Sequence, residues 1–197
     1  MFHYKKFLAA TLVSISLSAC AITEDIVPVT YQGSESTISI GADGKSFKLA
    51  IIDKRGKYKG RIGAKVNGFG AEMADIKSST PVPEIVQDAF INELTSRKLL
   101  VDNDQDRKID VTITAFHNNF EVGLVSGKAR GIVAFTIKVT NKDGVTAFED
   151  AMSRVNVDDG IMLASGENAA ASVSKALNTA MSDLFANKEF IDALVKS

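Results

Sequence analysis

Apolar residues in this chain repeat at two spacings, every second residue in some stretches and every third or fourth in others, and the order of these stretches predicts the fold. Residues 47–53, Phe-Lys-Leu-Ala-Ile-Ile-Asp, have a nearly continuous apolar centre, which predicts a core strand covered on both faces. Further on, Ile109, Val111, Ile113 and Ala115 alternate with Asp110, Thr112 and Thr114. Val133, Phe135, Ile137 and Val139 alternate in the same way with Ala134, Thr136 and Lys138. A third strand is expected over 145–157, joined to the second by the tight-turn sequence Asn141-Lys142-Asp143-Gly144, and a weaker turn lies at 123–127. These three strands predict an antiparallel meander.

Helical spacing is clearest near the C-terminus, where Val173, Ala176, Leu177, Ala180, Met181, Leu184 and Phe185 fall on one face; a second apolar turn follows with Phe190, Ile191 and Leu194. An earlier helix starts at Thr80-Pro81-Val82-Pro83-Glu84, with a hydroxyl as expected cap, proline in the first turn and an acid near the positive end of the dipole. It is expected to run to about Lys98, with Ile85, Val86, Ala89, Phe90 and Leu94 along its buried face. The order of elements predicts an α+β fold: strands, helix, three-strand meander, helix, with two long helices packed on one face of a mainly antiparallel sheet.

Three stretches lie outside this pattern. Residues 21–44 mix acids, Pro28, Ser, Thr and Gly with short β-like runs at 26–31 and 37–40, and part of this stretch reads as a tether. Residues 54–70 are rich in glycine and cations and predict an extended hairpin with mobile turns, followed by a strand at 71–76. The first six residues carry Lys5 and Lys6, and 7–19 are uncharged and mainly apolar. That is the layout of a secretory signal, and thirteen residues are too few for a spanning helix, which needs about 20.

Leu17-Ser18-Ala19 is followed at once by Cys20, the only cysteine. These four residues resemble the lipobox of bacterial lipoproteins. The resemblance implies cleavage before Cys20, a diacylglycerol on its thiol and acylation of its new amino group. Two or more acyl chains anchor a protein stably. By resemblance to lipoprotein sorting rules, Ala21 implies delivery to the outer membrane. The expected organisation is a removed signal at 1–19, a lipidated N-terminus and tether at 20–44, and a single α+β domain at 45–197.

Removing residues 1–19 leaves 178, enough for one domain with a real core. The loss of Lys5 and Lys6 takes the formal charge from −1 to about −3, which gives no reason to expect a nucleic-acid partner. With Cys20 acylated, no disulfide is available and packing must supply the stability.

Motifs that carry chemistry are sparse. Gly44-Lys45-Ser46 resembles the end of a phosphate loop, but Ser39 stands where that loop needs glycine. Asp102-Asn103-Asp104-Gln105-Asp106 opens like a calcium loop, yet Arg107 occupies the glycine position and Ile113 that of the bidentate Glu. His117 has no nucleophile elbow to serve and reads as a surface turn residue; Asp158-Asp159-Gly160 reads as a turn before the last helix. No catalytic set, metal site or cofactor is expected. The region chosen for function is the basic hairpin, with six cations in twelve residues: Lys54, Arg55, Lys57, Lys59, Arg61 and Lys65. Arg55, Lys57, Lys59 and Arg61 are the candidate contacts to an anionic ligand, at about 1 kcal/mol per cation near an anionic surface. A solvated loop is the competing reading.

Several of these features together resemble the YajG family of bacterial lipoproteins: the lipobox, the strand Lys48-Leu-Ala-Ile-Ile-Asp53, the helix with Leu94-Thr-Ser-Arg-Lys-Leu99, the strand Ile109-Asp-Val-Thr-Ile113 and the tail Glu189-Phe190-Ile191. The family brings no catalytic residues to carry over. The expected function is that of a lipid-anchored, non-enzymatic binding module on the periplasmic side of the outer membrane, with a protein partner in the envelope. The alternative is a lipid or lipopolysaccharide carrier, and the third reading is a carboxylate hydrolase of an envelope substrate.

Overall fold

The computed structural model describes residues 23–33, 46–101 and 107–195. In chain order these form β1 (Asp25–Val27), β2 (Ser46–Asp53), a 3-10 turn (Gly56–Tyr58), β3 (Gly63–Val66), β4 (Glu72–Ser78), α1 (Val82–Ser96), β5 (Leu100–Val101), β6 (Arg107–Glu121), β7 (Gly127–Asn141), β8 (Thr146–Ile161), α2 (Gly166–Ala186) and α3 (Lys188–Val195).

The alternation in the meander decides which way its strands face. Ile109, Val111 and Ile113 of β6 and Val133, Phe135, Ile137 and Val139 of β7 turn to one side and are buried there. A bulge between Ile113 and Ala115 shifts the alternation by one residue, so that Phe116, and not the expected Ala115, takes the next buried position. Both long helices pack on that side, and their apolar stripes close the core: Val173, Ala176, Leu177, Ala180 and Met181 from α2, with Val86, Phe90 and Leu94 from α1. Phe90 meets Phe135 of the sheet and Phe185 of α2 edge-on, with ring centroids 6.4 and 6.0 Å apart. The architecture is the expected α+β layer of helices on one face.

The five-stranded sheet has the order β5-β2-β6-β7-β8. The meander is antiparallel, while β2 runs parallel to both β5 and β6, because α1 carries the chain back across the sheet before β5 begins. Since helices cover one face only, the expectation that β2 is covered on both faces is corrected: Lys48 and Ile52 point to the open side and are exposed.

A smaller sheet of order β1-β4-β3 sits beside the first. In it β1 pairs in parallel with β4, and Val27 and Val29 are buried. The chain then follows the helices: the Thr30 amide donates to Ser174 Oγ at 3.0 Å, the Gln32 amide to Asn178 Oδ1 at 3.0 Å, and the Tyr31 hydroxyl to Glu93. Residues 23–33 therefore belong to the fold rather than to a tether. The run at 37–40 lies outside the described residues.

Other boundaries move for local reasons. Pro81 occupies the cap position of α1 with no side-chain cap, so Thr80 does not cap the helix; α1 ends at Ser96, with Lys98 turned to φ 61° and the Leu99 amide bonded to the Leu94 carbonyl. Asp158-Asp159-Gly160 is not a turn but the end of β8. There, Lys128 pairs with Asp159 and Gly127 with Ile161, which leaves Gly160, at φ 76°, as a bulge residue. The expected hairpin at 54–70 is replaced by the 3-10 turn and a shorter hairpin of β3 and β4.

Candidate functional site

The basic segment is organised around one guanidinium. Arg55 is buried, and its Nη2 and Nε bond the two Asp53 carboxylate oxygens at 2.9 and 3.0 Å. The remaining donors reach the backbone carbonyls of Lys59 (2.9 Å), Arg61 (3.2 Å) and Phe116 (3.2 Å). Arg55 thus ties the 3-10 turn to the middle of β6. Burial alone would raise the Asp53 carboxyl, but the Arg55 hydrogen bonds and charge outweigh it and hold it below the usual carboxylate range.

Arg61, expected beside Arg55 as an anion contact, pairs instead with Asp75 (2.7 Å) and Glu72 (2.8 Å) of β4. Lys57 and Lys59 are exposed, and Lys57 Nζ lies 4.8 Å from the centre of the Tyr58 ring. The four named cations therefore do not form one patch. Two are bound to carboxylates: Arg55 to Asp53 at the end of the preceding strand, and Arg61 to Glu72 and Asp75 of β4, which meets the segment only in the folded chain. That is the correction to the basic-hairpin reading.

His117 is likewise not a surface turn residue. It lies inside β6, half buried, and its ring stacks on Tyr58 with centroids 4.1 Å apart and planes 5° from parallel. Burial first, and then the charges of Arg55 and Lys57, push its pKa below the usual histidine value. The neighbouring Asn118 faces the core and is buried, and neither atom of its side-chain amide has a hydrogen-bond partner.

Other buried polar groups act as pins between elements. Glu93 on α1 binds Arg97 one turn later, and the Arg97 guanidinium lies 4.7 Å over the Phe185 ring. Arg107 bonds the Ala193 carbonyl of α3. Ser172 of α2 accepts the Gly131 amide of β7 at 2.7 Å, and this helix lies so close to the strand that a Cβ at Gly131 would collide with the Ser172 carbonyl. Among the described residues, no three His, Cys, Asp or Glu side chains come together as a metal site, and no helix is long and apolar enough to cross a membrane. Cys20, the lipobox residues Leu17, Ser18 and Ala19, and the acidic run at 102–106 lie outside the described residues.

Two surfaces are set up for contact. The first is the outer edge of β8, a 16-residue strand that ends the five-stranded sheet and has no strand beyond it among the described residues. On the adjoining open face, His117, Ile132 and Val155 are cross-strand neighbours in one row, and Val155 and Val157 are exposed. The second surface is one end of the molecule, where the 67–71 turn, the 122–126 loop and the 162–165 segment enclose a cleft of about 390 Å³. Its apolar rim was missed in the sequence, although Val122, Leu124 and Val125 in a five-residue loop, and Met162-Leu163 next to an expected helix, were visible as apolar residues in turn positions.

A family model described as an uncharacterized lipoprotein matches residues 35–195. The chain belongs to this family. Among solved structures, the lipoprotein is similar to the protein XCC0632 from Xanthomonas campestris at 12% identity, with a TM-score of 0.59 over 83% of this chain and 92% of that one. A minor lipoprotein from Acinetobacter baumannii aligns at 6% identity and a TM-score of 0.43 over 74% of this chain and 92% of that one. At 12% identity the likeness to the Xanthomonas protein concerns the fold alone. No curated protein matches the sequence.

Proposed function

We propose that this lipoprotein is held by acylated Cys20 on the periplasmic side of the outer membrane and works there as a non-enzymatic docking module, engaging a protein of the envelope along the outer edge of β8. The resemblance to the YajG family is part of the same reading.

The observation that carries it is the edge itself. A 16-residue strand whose outer backbone donors and acceptors face away from the sheet is a ready template for strand addition. Val155 and Val157 beside it offer apolar contacts for alternate side chains of an incoming strand. The family's lipoprotein character supports the anchor.

The test is a photoreactive residue in place of Val155 or Ala151 in intact cells, read by mass spectrometry of the crosslinked envelope. A reproducible protein adduct at both positions, absent from a probe at Lys188 on α3, is the expected result. The absence of any reproducible adduct overturns the docking reading. The lipid-carrier alternative by way of the basic segment is weakened, because Arg55 and Arg61 already hold carboxylates.

A further inference from the structure

We infer that the apolar end of the domain, built from the 67–71 turn, the 122–126 loop and the 162–165 segment, rests in the lipid surface to which Cys20 is attached. This inference rests on the anchor reading above and adds an orientation to it.

The path of the chain points to this end. Asp25 of β1 lies opposite Ile76 in a parallel pairing, so tracing β1 back toward the N-terminus leads toward the start of β4 at Glu72, directly after the 67–71 turn. The Asp25 carboxylate fixes the place: it pairs with Lys65 of β3 at 2.7 Å and accepts the Gly166 amide, just after the 162–165 segment, at 2.9 Å. Cys20 precedes Thr23, the first described residue, by three positions. Three residues span at most about 10 Å. A chain anchored at Cys20 therefore holds this end against the bilayer, whereas the turn that contains Val145 lies at the far end of β7, whose 15 residues span about 50 Å.

The chemistry of this end fits lipid. Phe69 is 98% exposed, Leu163 70%, and Leu124 is fully exposed; Val125 and Met162 project beside them. These side chains come from three separate loops; Val125, Met162 and Leu163 line one cleft, with Phe69 and Leu124 on the same loops beside it, and nothing among the described residues covers these large apolar tips. The charges nearest the cleft neutralise one another, Lys128 with Asp159 at 2.9 Å and Arg130 with Glu121 at 2.7 Å. Interfacial insertion reaches about 5–10 Å into the headgroup and acyl boundary, a depth that loop-tip side chains attain without moving the fold. The domain then stands on the membrane by its loops, and the β7–β8 turn points away from it.

The chain contains no tryptophan, so each introduced one reports a single position. The experiment reconstitutes the full acylated protein into vesicles carrying brominated phospholipid, with Phe69→Trp, Leu124→Trp and, as a control at the far end, Val145→Trp. All three positions are exposed, so the fold tolerates the exchange. The expected result is blue-shifted emission at positions 69 and 124 and quenching at least about threefold stronger than at 145, as for side chains within the interface. Vesicle flotation separates the two claims. Protein that floats with equal or no quenching at all three positions overturns this inference alone, and protein that does not float overturns the anchor and this inference together. A blue shift at 69 and 124 that grows with protein concentration, without bromine quenching, assigns the surface to a second copy and also overturns it.

Discussion

The Asp25 carboxylate accepts the backbone amide of Gly166 at 2.9 Å across 141 positions of sequence, joining β1 to the first turn of α2. The same carboxylate pairs with Lys65 on β3, so one side chain closes the smaller sheet against the long helix. It also lies at the positive end of the helix dipole, where a carboxylate is favoured.

Asp25→Ala is expected to destabilise the domain by about 1 kcal/mol, through the lost ion pair and the lost acceptor at the helix start. Burial by itself would raise the Asp25 carboxyl, but Lys65 and the Gly166 amide more than offset it and set the folded value below the ordinary 3.8. A depressed carboxyl contributes its full stability above the unfolded value and loses it as the pH falls through the folded one. Urea denaturation between pH 6 and pH 3 measures this: the loss of stability below about pH 4 is expected to be shallower in Asp25→Ala than in the wild type.

Arg55→Met removes a buried guanidinium and leaves the Asp53 carboxylate and three backbone carbonyls without their partner. The expected cost is about 3 kcal/mol or more, read from denaturant midpoints. Lys57→Gln with Lys59→Gln is expected to stay within about 0.5 kcal/mol of the wild type, because both side chains are exposed. A binding assay that neutralises all four cations together would therefore report unfolding, and the lysine pair alone is the fair probe of anion contact.

Asn118→Leu replaces a buried amide without partners by an apolar side chain of similar volume. Thermal or urea unfolding is expected to show a gain of about 1 kcal/mol, since the amide loses its hydration in the folded chain without a hydrogen bond to offset it.

His117 is the only histidine beyond residue 19, which makes its titration directly visible by NMR in a chain that begins at residue 20. Its folded pKa lies below the unfolded value of 6.5. Between those two values the unfolded chain takes up a proton that the folded one refuses. Stability therefore falls as the pH drops below about 6.5 and levels off once the folded pKa is passed. His117→Phe keeps a ring to stack on Tyr58 and is expected to abolish this slope, measured as unfolding midpoints at pH 7.5, 6.5 and 5.5.

The meander and both long helices were legible because their signals are local. Ile109, Val111 and Ile113 alternate within a few residues, and Val173, Ala176 and Leu177 repeat within one helical turn, so each element's period is written in its own segment. Where the structure departs from the local pattern, the deciding partner is in most cases distant in sequence. Val27 and Val29 looked like a tether because the strand and helix that bury them lie tens of residues away. Arg61 reads as part of a cationic patch because Glu72 and Asp75 are not adjacent to it in sequence, and Arg55 does so because only the turn after β2 folds it back onto Asp53, two residues earlier.

The sequence by itself determined the α+β order of elements, the inward face of 109–113 and of 133–139 and the resemblance at 17–20 to a lipobox, since all of these depend on spacing within short windows. Only the tertiary structure decided which charges are neutralised, that His117 stacks on Tyr58 within a strand, and that three separate loops bring Phe69, Leu124 and Leu163 to the end where β1 enters the fold. Those outcomes follow from parallel pairing and from packing between segments up to 141 residues apart, and no local pattern of side chains encodes such distances.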